Sequence, residues 1–254
     1  MLLTIDVGNT NISCGIFDKE ELITTFRFIT KQVRTSDELA LQIHSILEVR
    51  GIYESQITDV VLASVVPNIN NDMISAIKQL FNVEPLMIAA GIKTGLKICI
   101  DDPKSCGADL IAVAIAGYDK YKGECMVVDF GTATKFLYVD EKGRFKYGII
   151  SPGLEIYANS LWQMTAQLPQ VQLKKPETIL AKNTVHSMQA GIVYGYIGLT
   201  EGIIKQVKKE IGHDFPVIAT GGLGRYIYPE TDLINDYNPN LAYYGMKLIY
   251  EKNK

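Results

Sequence analysis

Cysteine, histidine and clustered positive charge are all scarce in this chain, and each shortage removes a class of function. The four cysteines, Cys14, Cys99, Cys106 and Cys125, form no CxxC pair and no zinc spacing, which argues against a metal finger, a dithiol redox centre or a disulfide-stapled scaffold. Reduced thiols that pack in a core are the simpler reading. The three histidines, His44, His186 and His213, also lack ligand spacing; only His186, close to Asn183-Thr184, stands where a polar site could be built. Basic residues are dispersed, and 25 Lys and Arg against 28 Asp and Glu leave a net charge of −3, so nucleic acid finds no electrostatic footprint. No run approaches the roughly 18 apolar residues of a membrane-spanning helix, and Met1-Leu2-Leu3 leads into a strand with no basic segment before it. A cytoplasmic protein without membrane or nucleic-acid partners is expected. With 47% hydrophobic and 21% charged residues, the 254 positions suit one large domain or two ordinary ones.

What is present is a pattern that occurs twice. Leu2-Leu3-Thr4-Ile5-Asp6-Val7-Gly8-Asn9-Thr10-Asn11 and Met126-Val127-Val128-Asp129-Phe130-Gly131-Thr132-Ala133-Thr134 are both apolar runs that end in Asp-x-Gly and a polar turn. A buried strand that turns back at such a point clusters backbone N–H groups, hydroxyls and one carboxylate, which is phosphate and metal chemistry. Glycine lets the backbone approach a ligand closely, and Thr and Asn donate to phosphoryl oxygens. One copy could be a plain hairpin turn, since Gly, Asn and Asp dominate such turns. Two copies half a chain apart point to two related halves, each holding a hairpin against a shared nucleotide.

The order of elements supports two halves. Strands are expected at 2–8, 11–18 and 21–29, and a helix over 36–49, with Thr35 or Ser36 as its cap and Asp37 and Glu38 at its positive end. A strand at 59–65, a helix at 70–81, a strand at 85–89, a polar connector at 91–102 and an apolar helix at 107–118 complete the first half. The second half repeats with strands at 125–130, 135–140 and 145–150, a helical stretch opened by Ser151-Pro152-Gly153 and running to 166, and a loop at 174–182. A long helix over 184–211, a strand at 215–220 ending in Gly221-Gly222, and a closing helix at 238–250 follow. This alternation predicts two α/β domains, 1–118 and 119–254. Hairpins at the head of each half and a late strand-Gly-Gly resemble the actin, hexokinase and acetate kinase (ribonuclease H-like) fold. That fold implies a nucleotide cleft between the domains, with Gly221-Gly222 as a candidate nucleoside contact.

A closer resemblance runs through nearly the whole chain. Asp6-Val7-Gly8-Asn9-Thr10-Asn11, Arg34-Thr35-Ser36-Asp37-Glu38, Ser64-Val65-Val66-Pro67, Gly107-Ala108-Asp109, Asp129-Phe130-Gly131-Thr132-Ala133-Thr134, Ser151-Pro152-Gly153, Leu168-Pro169, Asn183-Thr184, Met188-Gln189-Ala190-Gly191 and Ala219-Thr220-Gly221-Gly222 occur in one order. Together they resemble the type III pantothenate kinases. The resemblance implies ATP-dependent phosphorylation of the pantothenate 4′-hydroxyl, the first step of coenzyme A synthesis, by a homodimer that uses Mg²⁺ and a monovalent cation, K⁺ or NH₄⁺.

By the same resemblance, Asp6, Val7, Gly8, Asn9, Thr10, Asn11, Ile12 and Ser13 bind the ATP phosphates, with Asp6 helping to hold Mg²⁺ through water. Thr132 touches ATP, and Asp129 coordinates the monovalent cation. Asp109 accepts the hydroxyl proton, Gly107, Ala108 and Leu110 adjoin the substrate, and Thr184 contacts pantothenate across the dimer interface. Phosphoryl transfer rests on positioning and charge neutralisation, so one oriented carboxylate, a metal and a donor-lined cradle form a sufficient set. Asp109, at a helix start, lies in a positive local field; helix capping is its plainer use.

Four positions depart from the family pattern. Leu110 stands where an arginine usually follows the base, Ile100 where tyrosine is common, Lys135 where threonine follows Ala133-Thr134, and Tyr147 where a glycine is usual. An arginine–carboxylate contact contributes roughly 1.5–3 kcal/mol, so Leu110 bears on pantothenate affinity. Lys135 could restore the lost positive charge, intrude on the cation site or point to solvent. These departures leave a rival expectation, a low-activity paralogue acting as a regulatory or binding protein.

Overall fold

Leu2–Val7 form strand β1, in which every residue except the half-buried Asp6 is buried. It pairs antiparallel with β2 (Asn11–Asp18), which pairs antiparallel with β3 (Glu21–Ile29). Parallel to β1 runs β4 (Asp59–Ser64), and beside that β5 (Leu86–Met87), giving the order β3-β2-β1-β4-β5. Helices α1 (Ser36–Val49) and α2 (Asn70–Phe81) pack Leu39, Ile43, Leu47, Met73 and Ile77 against Leu3, Ile5 and Val7. The α1 cap is Thr35: its hydroxyl accepts from Glu38 N at 3.2 Å, and the Glu38 carboxylate accepts from Thr35 N at 2.9 Å. Such a reciprocal cap contributes about 1 kcal/mol.

The second sheet rebuilds this plan. Strand β7 (Cys125–Phe130) pairs antiparallel with β8 (Ala133–Val139), β8 with β9 (Arg144–Pro152), and β7 runs parallel to β10 (Val217–Thr220). With β11 (Asp236–Tyr237) and β6 (Lys97–Ile98) at the edges, the order is β11-β10-β7-β8-β9-β6. Helices α4 (Leu154–Gln163) and α5 (Thr184–Ile211) supply Leu154, Ala158, Met188, Ile192, Tyr196 and Ile204 to its core.

The computed structural model describes residues 1–31, 33–89 and 91–254, Lys104 by its backbone alone. They fall into two compact units, one of Met1–Lys97, Asp101–Ala116 and Ala242–Lys254, the other of Ile98–Ile100 and Gly117–Leu241. This division differs from a single cut near residue 118 in two ways. The chain changes unit at Ala116–Gly117, inside α3 (Ala108–Tyr121), and the last helix, α6 (Leu241–Asn253), returns to the first unit. Its return has a packing cause: the Tyr244 ring meets Phe17 edge-on at 5.4 Å, and a carbon on Gly245 would fall 1.7 Å from the Ala112 carbonyl oxygen. The absent side chain lets α6 lie against the backbone of α3.

Other departures are local. Ser151-Pro152 close β9 instead of opening a helix, and α4 starts at Leu154 and stops at Gln163. The closing helix starts at Leu241 because the Asn238 side chain accepts from Asn240 N at 2.9 Å and holds a turn there. The two-residue strands β6 and β11 are too short to show a period.

Candidate functional site

The first hairpin turns at residues 8–11, between the last register pair, Val7↔Ile12. Gly8 N donates to Asn11 O at 3.0 Å, Thr30 N to Thr10 O at 3.0 Å, and the Thr30 hydroxyl to Gly8 O at 2.7 Å. The end of β3 thus fixes the turn, and it leaves Asn9 and Thr10 exposed. Val7 and Ile12 are fully buried, so only their backbone can meet a ligand; their side chains belong to the core. Asp6 lies one residue before the turn, half-buried, directly opposite Ser13. Ser13 hydrogen-bonds to Tyr243 of α6, a residue that carried no sequence signal of function. Burial, with the charges of Cys14 and Asp6 added, pushes the Tyr243 phenol far up, so it stays protonated.

Asp109 occupies the first turn of α3. Its carboxylate folds back over Gly107, where an added carbon would lie 2.4 Å from Asp109 Oδ1 and 3.5 Å from a Val65 methyl. Val65 N in turn donates to Val7 O at 3.0 Å. Gly107 and Val65 therefore link Asp109 to the carboxyl ends of β1 and β4, the edge at which ligands meet open α/β sheets. Ala108 is buried, and Leu110 sits half-buried beside the carboxylate in sequence. The neighbouring Cys106 thiol is pushed up to about 11, by burial first and by the Asp109 charge second.

The second hairpin repeats the burial pattern of the first residue for residue along β7 and β8. Its turn is tighter, 131–133, because the last pair is Phe130↔Thr134. Asp129 takes the place of Asp6, and across the strand Lys135 takes the place of Ser13. Lys135 Nζ donates to Asp129 Oδ2 at 3.2 Å, with the two side chains only 19% and 16% exposed. On the other side of the carboxylate, Gly221, at φ +83°, would bring an added carbon within 2.9 Å of Asp129 Oδ1 and 2.5 Å of Phe130 O. Tyr237 OH donates to Gly221 O at 3.0 Å and holds that approach.

Two residues of the second motif have different uses. Thr132 is exposed in the turn, where it can reach a ligand. Thr134 is fully buried and lies 2.6 Å from Tyr196 OH of α5. Since the Tyr196 hydroxyl hydrogen goes to Pro152 O at 2.9 Å, Thr134 is the donor of the pair, and its hydroxyl anchors the hairpin to α5. At the start of α5 the Asn183 side chain accepts from His186 N at 2.9 Å, a helix cap, and Thr184 follows it exposed.

The donor chemistry fits Mg²⁺ with nucleotide. Among the described residues no group of three or more His, Cys, Asp or Glu could cage a metal, and Mg²⁺ commonly takes one or two carboxylates together with substrate phosphates and water. Asp6, at a polar turn, offers a hard oxygen donor suited to that chemistry. A monovalent cation on Asp129 fits poorly, because a lysine ammonium already lies against Oδ2.

The sequence pattern of type III pantothenate kinases matches residues 2–206. The chain is 47% identical to the type III pantothenate kinase of Agathobacter rectalis, over 99% of this chain and 97% of that one. It is 44% identical to that of Geotalea daltonii, over 100% and 99%. Two solved structures share its fold at low identity. One is a Campylobacter jejuni protein provisionally placed in the Baf family of transcriptional activators, with TM-score 0.60, 19% identity and coverage of 99% and 98%. The other is a Sinorhizobium meliloti protein provisionally taken for a 2-dehydro-3-deoxygalactonokinase, with TM-score 0.58, 11% identity and coverage of 99% and 96%. By full-length identity to its kinases and by the family pattern over four-fifths of its length, the chain belongs to the type III pantothenate kinase family.

Proposed function

We propose that this chain transfers the γ-phosphoryl group of ATP to the 4′-hydroxyl of pantothenate, giving 4′-phosphopantothenate and ADP in the first step of coenzyme A synthesis. Membership of the kinase family over residues 2–206 is the observation that carries the reading. Phosphoryl transfer asks the protein for alignment and charge neutralisation more than for covalent chemistry. In the first unit, the 8–11 turn offers backbone N–H groups and the exposed Asn9 and Thr10 side chains to phosphate oxygens. Asp6 holds Mg²⁺, which supplies neutralising charge to those oxygens when bound. Asp109 accepts the hydroxyl proton as that oxygen attacks phosphorus, and Gly107, Ala108 and Leu110 line the acceptor. In the second unit, Thr132 touches ATP.

The reading carries a homodimer in which Thr184 reaches the pantothenate of the partner. Ile179, Leu180 and Val185 flank Thr184 in the chain and are 59%, 77% and 46% exposed, apolar surface of the kind a partner covers. It also carries a cytoplasmic location, in keeping with four free thiols. No described helix is long and apolar enough to cross a membrane. No observation favours a regulatory or binding role instead, since the likeness to the Campylobacter protein speaks to fold alone. A coupled ADP-release assay tests the reading. ADP release that rises with pantothenate and saturates is expected; release no faster than without an acceptor overturns it.

A further inference from the structure

We propose that the Lys135 ammonium is a built-in monovalent cation for the second hairpin, so that this chain works without K⁺ or NH₄⁺. The proposal rests on the kinase reading for its activity arm, and on the structure for the rest.

Asp129 and Lys135 face each other in the antiparallel register of β7 and β8, which places their side chains on the same face of the sheet. Both are more than four-fifths buried, and the ammonium lies 3.2 Å from Oδ2. A carboxylate withdrawn from water to this degree needs a counter-charge at close range. Gly131 and Gly221 bring backbone against its remaining side, where added carbons would lie 3.7 Å and 2.9 Å from Oδ1. The carboxylate is thus enclosed by two glycines and an ammonium. An ammonium matches potassium closely in charge and size, and a second cation on Asp129 would face like-charge repulsion from the lysine. In the first hairpin the residue at that place, Ser13 opposite Asp6, is neutral.

Removing the ammonium should therefore create a demand for a free cation. In choline, Na⁺, K⁺ and NH₄⁺ chlorides at equal ionic strength, the wild-type rate is expected to vary by less than about twofold, a difference of roughly 0.4 kcal/mol. Lys135→Thr should be at least fivefold slower in choline or Na⁺ and should recover in K⁺ or NH₄⁺. Thermal melting without substrates gives a readout independent of activity: K⁺ in place of choline should raise the Tm of Lys135→Thr and leave that of the wild type unchanged. Lys135→Gln serves if the threonine variant does not fold, and Lys135→Arg should stay indifferent to K⁺. K⁺ activation of the wild type several-fold, or variants whose rate and Tm ignore K⁺, overturns the proposal. If the melting pattern appears while no variant phosphorylates pantothenate, the cation proposal stands and the kinase reading fails.

Discussion

The two hairpins have the same burial pattern, the same parallel neighbour and the same aspartate, yet they differ in the residue across the strand. Opposite Asp6 stands Ser13, a neutral hydroxyl tied to the half-buried Tyr243; opposite Asp129 stands Lys135, a cation within hydrogen-bond reach. One frame therefore presents two carboxylates with different residues opposite them. The first faces a neutral hydroxyl, and the second faces an ammonium. Repeating a fold repeats the placement of a charge, but a single facing residue decides what that charge can bind.

The largest effect is expected when one hairpin is copied into the other. Ser13→Lys puts an ammonium opposite Asp6, and we expect turnover to fall about a thousandfold as Mg²⁺ loses its ligand, the scale associated with lost charge stabilisation in transfer chemistry. A Tm within a few degrees of wild type would show that the frame survived; undiminished Mg²⁺-dependent turnover would mean that Asp6 does not serve the metal.

A smaller effect is expected where helix packing sets the base. Gly245→Ala drives a carbon to within 1.7 Å of the Ala112 carbonyl oxygen, and overpacking of that kind costs about 1–3 kcal/mol. Because α3 carries Asp109, kcat should fall more than the KM for ATP rises. An unchanged melting curve would show that α6 is not held as described.

Leu110→Arg should improve kcat/KM for pantothenate by about tenfold, through a charge-assisted contact with its carboxylate. A change confined to ATP parameters would remove Leu110 from the acceptor side. The smallest effect concerns Cys106. With its thiol pushed up to about 11 by burial and then by Asp109, only about one in a thousand is thiolate at pH 8. Asp109→Asn removes a negative charge, lowers that pKa and should speed alkylation of Cys106 severalfold, read by mass spectrometry against the exposed Cys99.

Much of this arrangement was legible in the chain itself. The strands flanking each Asp-x-Gly, the Thr35–Glu38 cap and the long helix from Thr184 follow from local periodicity and capping, signals that need no tertiary information. The ion pair of Asp129 with Lys135 was not. Lys135 is six residues away in sequence, and whether its stem reaches the carboxylate depends on a three-residue turn and on register. Tyr243 was silent for a related reason: an apolar helix at the chain end announces that it packs, but not on which sheet. Thr134 shares the motif with Thr132, but burial gives its hydroxyl to Tyr196, which the motif alone does not show.

In the proposed reaction Asp109 activates the pantothenate hydroxyl for attack on ATP. Product formation by wild type and Asp109→Asn, followed by mass spectrometry beside equilibrium ATP binding, tests it most directly. Wild type should form one 4′-phosphopantothenate for each ATP consumed, and Asp109→Asn should bind ATP with a Kd within about twofold of wild type, roughly 0.4 kcal/mol, while forming product at least about a hundredfold more slowly. Comparable turnover in the variant would remove Asp109 as the base, and ATP consumed by wild type without phosphopantothenate would rule out the kinase reaction.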